Sequence, residues 1–202
     1  MTETPLTAEK ILEASEDVLR RYGPAKATVV DVARELGVSH GSVYRHFPSK
    51  AALRDAVVES WLAEISIPLE DAAAEKGTAR ERLRRWLDLL VESKQRRARE
   101  DPELFATYTE LAANAREVIG AHVKTLTDQL AHIFTDGVAR GEFDVANPGL
   151  AARAVFDATS RFHNPANAPG WADPEIELAY VAVRSLVFAG LTKTTAAPRT
   201  EA

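Results

Sequence analysis

Apolar residues recur along most of the chain at intervals of three or four, and this spacing predicts helices. The first apolar stripe runs from Ile11 to Tyr22 and stops at Gly23 and Pro24, a pair that ends helices. Nowhere do β-branched residues alternate with polar ones over a convincing run, and no hairpin dipeptide separates two such runs. The pattern therefore predicts an all-α protein of about nine helices.

Small polar residues divide the next part of the chain. Thr28, Ser39 and Ser49 suit the N-cap of a helix, and they predict a short second helix, a short third helix and a long fourth one. The fourth helix meets Pro68, a residue that should kink or end it. Five further helices are predicted over residues 78–100, 102–115, 117–139, 148–162 and 174–191.

These helices predict two parts that share the fourth helix. Residues 1–55 contain short, frequently interrupted helices, whereas residues 56–194 contain longer amphipathic ones. Residues 195–202 form a polar tail. Because the boundary falls inside the fourth helix, we expect that helix to connect the two parts as a rigid strut.

Composition narrows the class of protein. The 202 residues are 46% hydrophobic with a formal net charge of −5, which allows a real core and argues against a uniformly basic nucleic-acid coat protein. The absence of cysteine excludes disulfides, thiolate zinc sites and cysteine nucleophiles. The sequence has neither a secretory signal nor an apolar run of the ~18–20 residues that span a bilayer. A cytoplasmic protein without a membrane partner is expected.

Residues 28–47 have the pattern of a helix-turn-helix. The motif needs a small residue in its first helix, a residue that tolerates positive φ in its turn and an aliphatic anchor in its second helix. Ala33, Gly37 and Val43 occupy those three positions. The same spacing also occurs in helical pairs that pack only within their own domain, so it does not establish DNA binding alone.

Basic residues are concentrated around this motif. From Arg20 to Arg54 the chain has seven basic and two acidic side chains, although its total net charge is −5. A basic patch on an acidic protein is the electrostatic footprint of localised phosphate contact. The charge therefore favours DNA binding over a purely structural pair of helices.

Residues 28–53 resemble the signature of the tetracycline-repressor (TetR) family of regulators. The resemblance rests on Leu36-Gly37-Val38-Ser39, on Gly41-Ser42-Val43-Tyr44-Arg45-His46-Phe47, and on Lys50 and Leu53. Beyond residue 60 it rests only on the number and length of helices. It implies a homodimeric repressor that binds a palindromic operator in double-stranded DNA and releases it when a small-molecule effector binds. An activator of the same architecture, or a helical ligand-binding protein that does not bind DNA, is the alternative.

The resemblance also implies a role for each residue of the motif. The third helix would lie in the major groove, with His40, Ser42 and Arg45 towards base edges. Gly41 would allow the backbone close to DNA, and the N–H groups at the helix start capped by Ser39 would be directed at a phosphate. The positions that match phosphate contacts in the family are Thr28, Tyr44, His46 and Lys50.

The last predicted helix, residues 174–191, is apolar nearly all round, which is unusual for a surface helix of a monomer. The resemblance implies that this helix and residues 148–162 pair with their copies in a dimer. The predicted interface stripe is Ile176, Tyr180, Val183, Val187 and Leu191. Burial of this helix within one subunit is the alternative.

Polar residues among the apolar positions of the later helices are candidates for an effector pocket: Tyr108, His122, Asp157, Arg161 and His163. His122, Asp157 and His163 have donor atoms that suit a divalent metal ion or an acidic ligand. The alternative is an ion pair between Asp157 and Arg161 beside two ordinary histidines. No cofactor is required for this function.

Enzymatic activity is not expected. The sequence has no Gly-rich phosphate loop, no His-Glu-x-x-His and no nucleophile elbow. It also lacks the Glu-x-x-His pairs of a di-iron helical bundle.

Overall fold

The computed structural model describes residues 5–191, and every regular element in that range is helical, which confirms the all-α prediction. None of these helices is long and apolar enough to cross a membrane. The ten α-helices are α1 (Ala8–Lys26), α2 (Val29–Glu35), α3 (His40–His46), α4 (Lys50–Ala74), α5 (Ala79–Glu100), α6 (Pro102–Asn114), α7 (Arg116–Ala139), α8 (Pro148–Ala158), α9 (Ser160–His163) and α10 (Ile176–Gly190). A 3-10 helix, Pro165–Ala172, lies between α9 and α10 and was not predicted.

The predicted helix starts and stops of the N-terminal region are confirmed. Gly23 leaves the helical conformation with φ 73° and ψ 166°, so the predicted stop interrupts α1 there. The side chains of Thr28 and Ser39 accept hydrogen bonds from the backbone N–H groups of Asp31 and Ser42. Ser49 similarly accepts from Ala52 at 3.0 Å. Each cap satisfies a donor that the first helical turn leaves unpaired.

Two predicted features differ from the structure. Of the two effects predicted for Pro68, a kink or an end of the helix, the end is wrong, because α4 continues to Ala74. The neighbouring Ile65 and Leu69 are both buried, and tertiary packing can override a local helix breaker. The predicted helix over residues 148–162 is divided at Thr159, whose hydroxyl donates to the Val155 carbonyl at 2.9 Å. Such a bond from a hydroxyl to a carbonyl one turn earlier often bends a helix.

The chain divides into two compact units that differ from the predicted parts. Within residues 5–191, the first unit contains the residues up to Ser66 together with Arg96–Val123, and the second contains Ile67–Gln95 and the residues from Lys124 to Leu191. The segment Arg96–Val123 joins the N-terminal helices because α6 packs on α1. In the same unit, α2 packs on both α1 and α3.

The core of the second unit is built from facing sides of α5 and α7. Trp86 is fully buried, and its indole N–H donates to the Gln129 side-chain oxygen at 3.0 Å, which satisfies both polar groups. The other fully buried side chains of these two helices in this unit are Ala79, Leu83, Leu87, Leu90, Leu126, Leu130, Ile133 and Phe134.

Candidate nucleic-acid interface

The turn between α2 and α3 has the geometry that the helix-turn-helix pattern predicts. Gly37 adopts φ 66°, a left-handed conformation that favours glycine. The Val38 N–H donates to the Ala33 carbonyl at 2.9 Å and closes the turn. Ala33 on α2 and Val43 on α3 are both buried, and the two helices pack against each other. The three predicted anchors therefore define one compact pair of helices.

The start of α2 is fixed by a capping box. The Thr28 hydroxyl oxygen accepts from the Asp31 N–H, and the Asp31 carboxylate accepts from the Thr28 N–H, both at 3.2 Å. The Thr28 hydroxyl also donates to Asp31, and this bond is the main reason that the pKa of Asp31 is lowered. Because that proton already has an acceptor, a phosphate contact by Thr28 requires the hydroxyl to change partner. The role of Thr28 in DNA binding stays a prediction.

Helix α3 buries Val43 and exposes most of its other side chains. The Arg45 guanidinium donates to the Ser42 hydroxyl at 3.1 Å, and that hydroxyl lies 2.9 Å from the Ser39 hydroxyl. The His40 and Tyr44 rings meet edge to face with centroids 6.3 Å apart. The exposed residues of the motif that were predicted to contact DNA are Thr28, Ser39, His40, Gly41, Tyr44, Arg45, His46 and Lys50, with Ser42 half-buried.

Several basic residues of this region already have partners. Arg21 pairs with Glu35 at 2.9 Å and Arg34 with Asp31 at 2.8 Å, while Arg20 pairs with an acidic residue, Asp101. The Arg54 guanidinium donates to the Pro24 carbonyl at 2.7 Å. Of the seven basic residues from Arg20 to Arg54, those that form no ion pair with another described residue are Lys26, Arg45, Lys50 and Arg54. The charge available for phosphate contact is therefore concentrated at α3 and the start of α4.

Tyr108, the first predicted effector residue, is buried in the first unit. Its ring stacks on Trp61 with centroids 4.7 Å apart and an interplanar angle of 3°. Both rings line a cavity of about 210 Å³. The other residues that line it are Glu9, Leu12, Glu13, Glu16, Val57, Ser60 and Glu64. Sequence periodicity identified these positions only as parts of helices, because three separate helices contribute them.

The carboxylates of this cavity affect one another. Burial, followed by the charge of Glu64, raises the pKa of Glu16. Burial and the neighbouring carboxylates also raise the pKa of Tyr108 far above its ordinary value. Arg97 donates to Glu64 at 2.8 Å and lies 5.6 Å from the centroid of the Trp61 ring. The cavity combines aromatic walls with an excess of negative charge.

The predicted metal site is wrong. Among residues 5–191, no group of three or more His, Asp or Glu side chains could hold a metal ion. His163 is buried, and its Nε2 lies 3.2 Å from the Phe156 carbonyl and 3.3 Å from the Thr159 hydroxyl. Asp157 is exposed and His122 is half-buried on α7.

The alternative ion pair between Asp157 and Arg161 is also wrong. Asp157 accepts from Arg153 at 2.8 Å, one turn earlier on α8. Arg161 lies beyond the break at Thr159 and is 3.9 Å from the Asp173 carboxylate. The interruption of the predicted helix removes the i,i+4 relation on which the pair depended.

The predicted interface stripe faces the interior of its own chain. Ile176 and Tyr180 form a buried cluster with Val91 and Phe162, and Leu191 is buried as well. Val183 packs against this cluster, and Val187 is also half-buried. The Tyr180 hydroxyl donates to Asp88 at 2.7 Å. The exposed large apolar side chains of α8 and α10 are Leu150, Leu178, Val181 and Leu186.

Family models match both an N-terminal and a C-terminal segment of the chain. Residues 11–57 match the family model for bacterial regulatory proteins of the tetR family, and residues 79–184 match the one for the tetracyclin repressor-like C-terminal domain. The chain is 30% identical to the probable HTH-type transcriptional regulator ArpR of Pseudomonas putida, over 77% of this chain and 79% of that protein. It is 29% identical to the HTH-type transcriptional regulator TtgR of the same species, over 79% and 80%.

Solved structures have the same fold. SmeT, described as the repressor of the Stenotrophomonas maltophilia multidrug efflux pump SmeDEF, superposes with a TM-score of 0.68 at 20% identity, covering 94% of this chain and 92% of that one. The structural similarity to SmeT therefore includes both segments that match the family models. The chain belongs to the tetR family of bacterial regulatory proteins.

Proposed function

We propose that this protein represses transcription by binding a specific operator through α3. The observation that carries the proposal is the exposed polar face of α3, with Arg45 anchored on Ser42 and Lys50 just beyond. Arg reads guanine edges, and an exposed Lys contacts phosphates without reading sequence. The regulatory relatives support this function. Since chromosomal DNA is the proposed target, we place the protein in the cytoplasm.

The test separates base reading from phosphate contact. Binding sites selected from random DNA define an operator, and fluorescence anisotropy then measures affinity at several salt concentrations. Arg45→Ala should relax sequence preference, with a cost of about 1–3 kcal/mol on the best site only. Lys50→Ala should weaken binding to all sequences and reduce the salt slope by about 0.9. Lys76→Ala, at an exposed lysine of the second unit, is the control. Unchanged sequence preference in Arg45→Ala would contradict the assigned role.

We further propose that two copies associate through the exposed apolar side chains of α8 and α10. Leu186 is 73% exposed, Leu178 71% and Leu150 68%, which is unusual for a monomer surface. A two-fold dimer would present two α3 helices to a palindromic site. Leu186→Glu should halve the mass measured by sedimentation and weaken operator binding. Ile67→Glu, at an exposed apolar residue of α4, should leave the mass unchanged. A monomeric wild-type protein that binds its operator would contradict this assembly.

We propose that the effector occupies the cavity lined by Tyr108 and Trp61. Carboxylates and aromatic faces together suit an organic cation. The cavity lies in the same compact unit as α2 and α3, so a ligand that favours one arrangement of α1 and α4 would alter DNA affinity. Benzyltrimethylammonium is a suitable probe. The probe should weaken operator binding, and operator DNA should weaken probe binding by the same factor.

The controls for this effector site use neighbouring carboxylates. Glu16→Gln should weaken binding of the probe, whereas Glu59→Gln, at an exposed position of α4 outside the cavity, should not. Equal probe affinity with and without operator would refute the coupling. Expression of a reporter gene from the operator, with and without the regulator, distinguishes repression from activation.

A further inference from the structure

Three arginines surround a second cavity, in the unit that contains α5 and α10. Its volume is about 310 Å³. Arg80 and Arg84 contribute from α5, one helical turn apart, and Arg184 contributes from α10. The remaining lining residues are Ser185, Phe188 and Ala189. None of these residues was singled out by the helix-turn-helix pattern.

One aromatic ring holds two of the guanidinium groups in place. The guanidinium carbon of Arg80 lies 4.7 Å from the centroid of the Phe188 ring, and that of Arg84 lies 5.8 Å from the same centroid. Phe188 is only 4% exposed, so its ring is fixed by packing. The ring attracts both cations, which limits the conformations of two otherwise long and mobile side chains. Two like charges are thereby kept near each other at the cavity wall.

The charge of Arg80 and Arg84 is not neutralised by an ion pair among the described residues. Two carboxylates of this region, Glu81 and Glu142, accept hydrogen bonds from backbone N–H groups. Glu142 accepts from the backbone N–H of Arg80 at 3.3 Å, and Glu81 accepts from the backbone N–H of Thr78 at 2.9 Å. That bond from Thr78 is the main reason that the pKa of Glu81 is lowered, with Arg84 the smallest contribution.

Arg184 differs from the other two arginines. It pairs with Asp88 and lies 5.2 Å from the centroid of the Tyr180 ring, so its charge is already compensated. The Ser185 hydroxyl donates to the Val181 carbonyl at 2.8 Å and therefore offers the cavity an acceptor and no proton. Recognition of a ligand thus depends mainly on Arg80 and Arg84.

We propose that this cavity binds a small anion that carries phosphate groups. A guanidinium donates two parallel N–H groups to the oxygens of one phosphate, and such charge-assisted bonds are short and strong. Two guanidinium groups at one ring suit a ligand with two adjacent phosphates. Binding of that ligand relieves the repulsion between Arg80 and Arg84, which no carboxylate of the described residues relieves by an ion pair. The inference concerns binding alone and does not depend on the response of DNA affinity to an effector.

The full chain is titrated with inorganic phosphate, pyrophosphate and citrate by calorimetry in the absence of DNA. Pyrophosphate should bind more tightly than phosphate, and citrate, which has comparable charge but carboxylate groups, should bind more weakly than pyrophosphate. The variant Arg80→Gln/Arg84→Gln should bind pyrophosphate at least about tenfold more weakly. The control is Arg85→Gln. Arg85 is exposed on the same helix, pairs with Glu75 at a distance of 3.0 Å, and does not line the cavity. Its affinity should stay within about twofold of wild type.

Two results would overturn the proposal. The first is the absence of pyrophosphate binding at millimolar concentrations, and the second is equal affinity in the wild type and the double variant. If pyrophosphate does not bind and the double variant also loses its dimer in sedimentation, the arginines contact a second copy instead of an anion. Arg84→Gln alone gives a milder variant, and circular dichroism checks that each variant is folded. A dependence on Arg80 and Arg84 with an intact fold supports the site.

Discussion

Two glycines of α7, Gly120 in the first unit and Gly137 in the second, allow a direct test of the packing around Gly137. Gly120 and Gly137 both lie within the helix, but only Gly137 is tightly surrounded. A Cβ atom at Gly137 would lie 2.7 Å from Cε2 of Phe143 and 2.9 Å from the Cβ of Ala79. At Gly120 nothing lies within 4 Å. The same substitution by alanine should therefore have opposite effects on stability.

The expected magnitudes follow from two opposing contributions. Alanine stabilises a helix interior by about 0.5–1 kcal/mol relative to glycine, and this gain applies at both positions. At Gly137 the added methyl must displace the ring of Phe143, which is only 5% exposed, and overpacking of this kind costs about 1–3 kcal/mol. Gly120→Ala should therefore raise the free energy of unfolding by about 0.5–1 kcal/mol. Gly137→Ala should lower it by up to about 2.5 kcal/mol, because the cost of overpacking exceeds the gain in helix propensity.

Urea denaturation at one fixed protein concentration measures both variants. The midpoints should move in opposite directions with unchanged m-values. Because the helix-propensity gain is shared, the difference between the two variants isolates the cost of the contact with Phe143. A Gly137→Ala protein as stable as Gly120→Ala would show that the ring moves without cost, and the reasoning would be refuted.

Three other substitutions test single features. Burial lowers the pKa of His163 from 6.5 to about 4, so only the unfolded state gains a proton between these two pH values. The free energy of unfolding should therefore fall by about 3 kcal/mol as the pH drops from 6.5 to 4. Urea titrations should show that His163→Phe loses this dependence on pH. Tyr180→Phe removes the donor to Asp88 and should lower the free energy of unfolding by ~1.5 kcal/mol, whereas the half-exposed Tyr22→Phe should not change it. Thr28→Ala should lower the melting temperature through a loss of ~1 kcal/mol, and Thr28→Ser should retain most of that stability; equal losses would contradict the capping role.

Local sequence was sufficient for the helix-turn-helix. Thr28, Gly37 and Ser39 act through backbone groups within a few residues of themselves, so their roles can be read from neighbouring positions. The α10 stripe could not be assigned in this way. That helix is apolar on nearly every side, and only the packing of Phe162 and Val91 against Ile176 determines which side is buried.

The candidate ligand sites were harder to predict because they are assembled from distant parts of the chain. Trp61 and Tyr108 belong to different helices, and their stacking has no signal in either helix alone. The predicted pair of Asp157 with Arg161 is absent for a local reason, because Thr159 interrupts the helix that was expected to align the two side chains. A side-chain bond to a carbonyl is not evident from periodicity, which records only where apolar residues fall.

The bond from Arg54 to the Pro24 carbonyl has a consequence for how DNA could be released. This hydrogen bond links the first turns of α4 to the turn that precedes α2, so Lys50 and Thr28 belong to one rigid body. When α4 tilts, we expect the turn at Pro24 to move with it, and the helix-turn-helix to move as a rigid body. In the proposed dimer, each copy would stay bound to a single half-site while the distance between the two α3 helices changed. An effector would then lower affinity for the full palindrome and leave binding to an isolated half-site nearly intact.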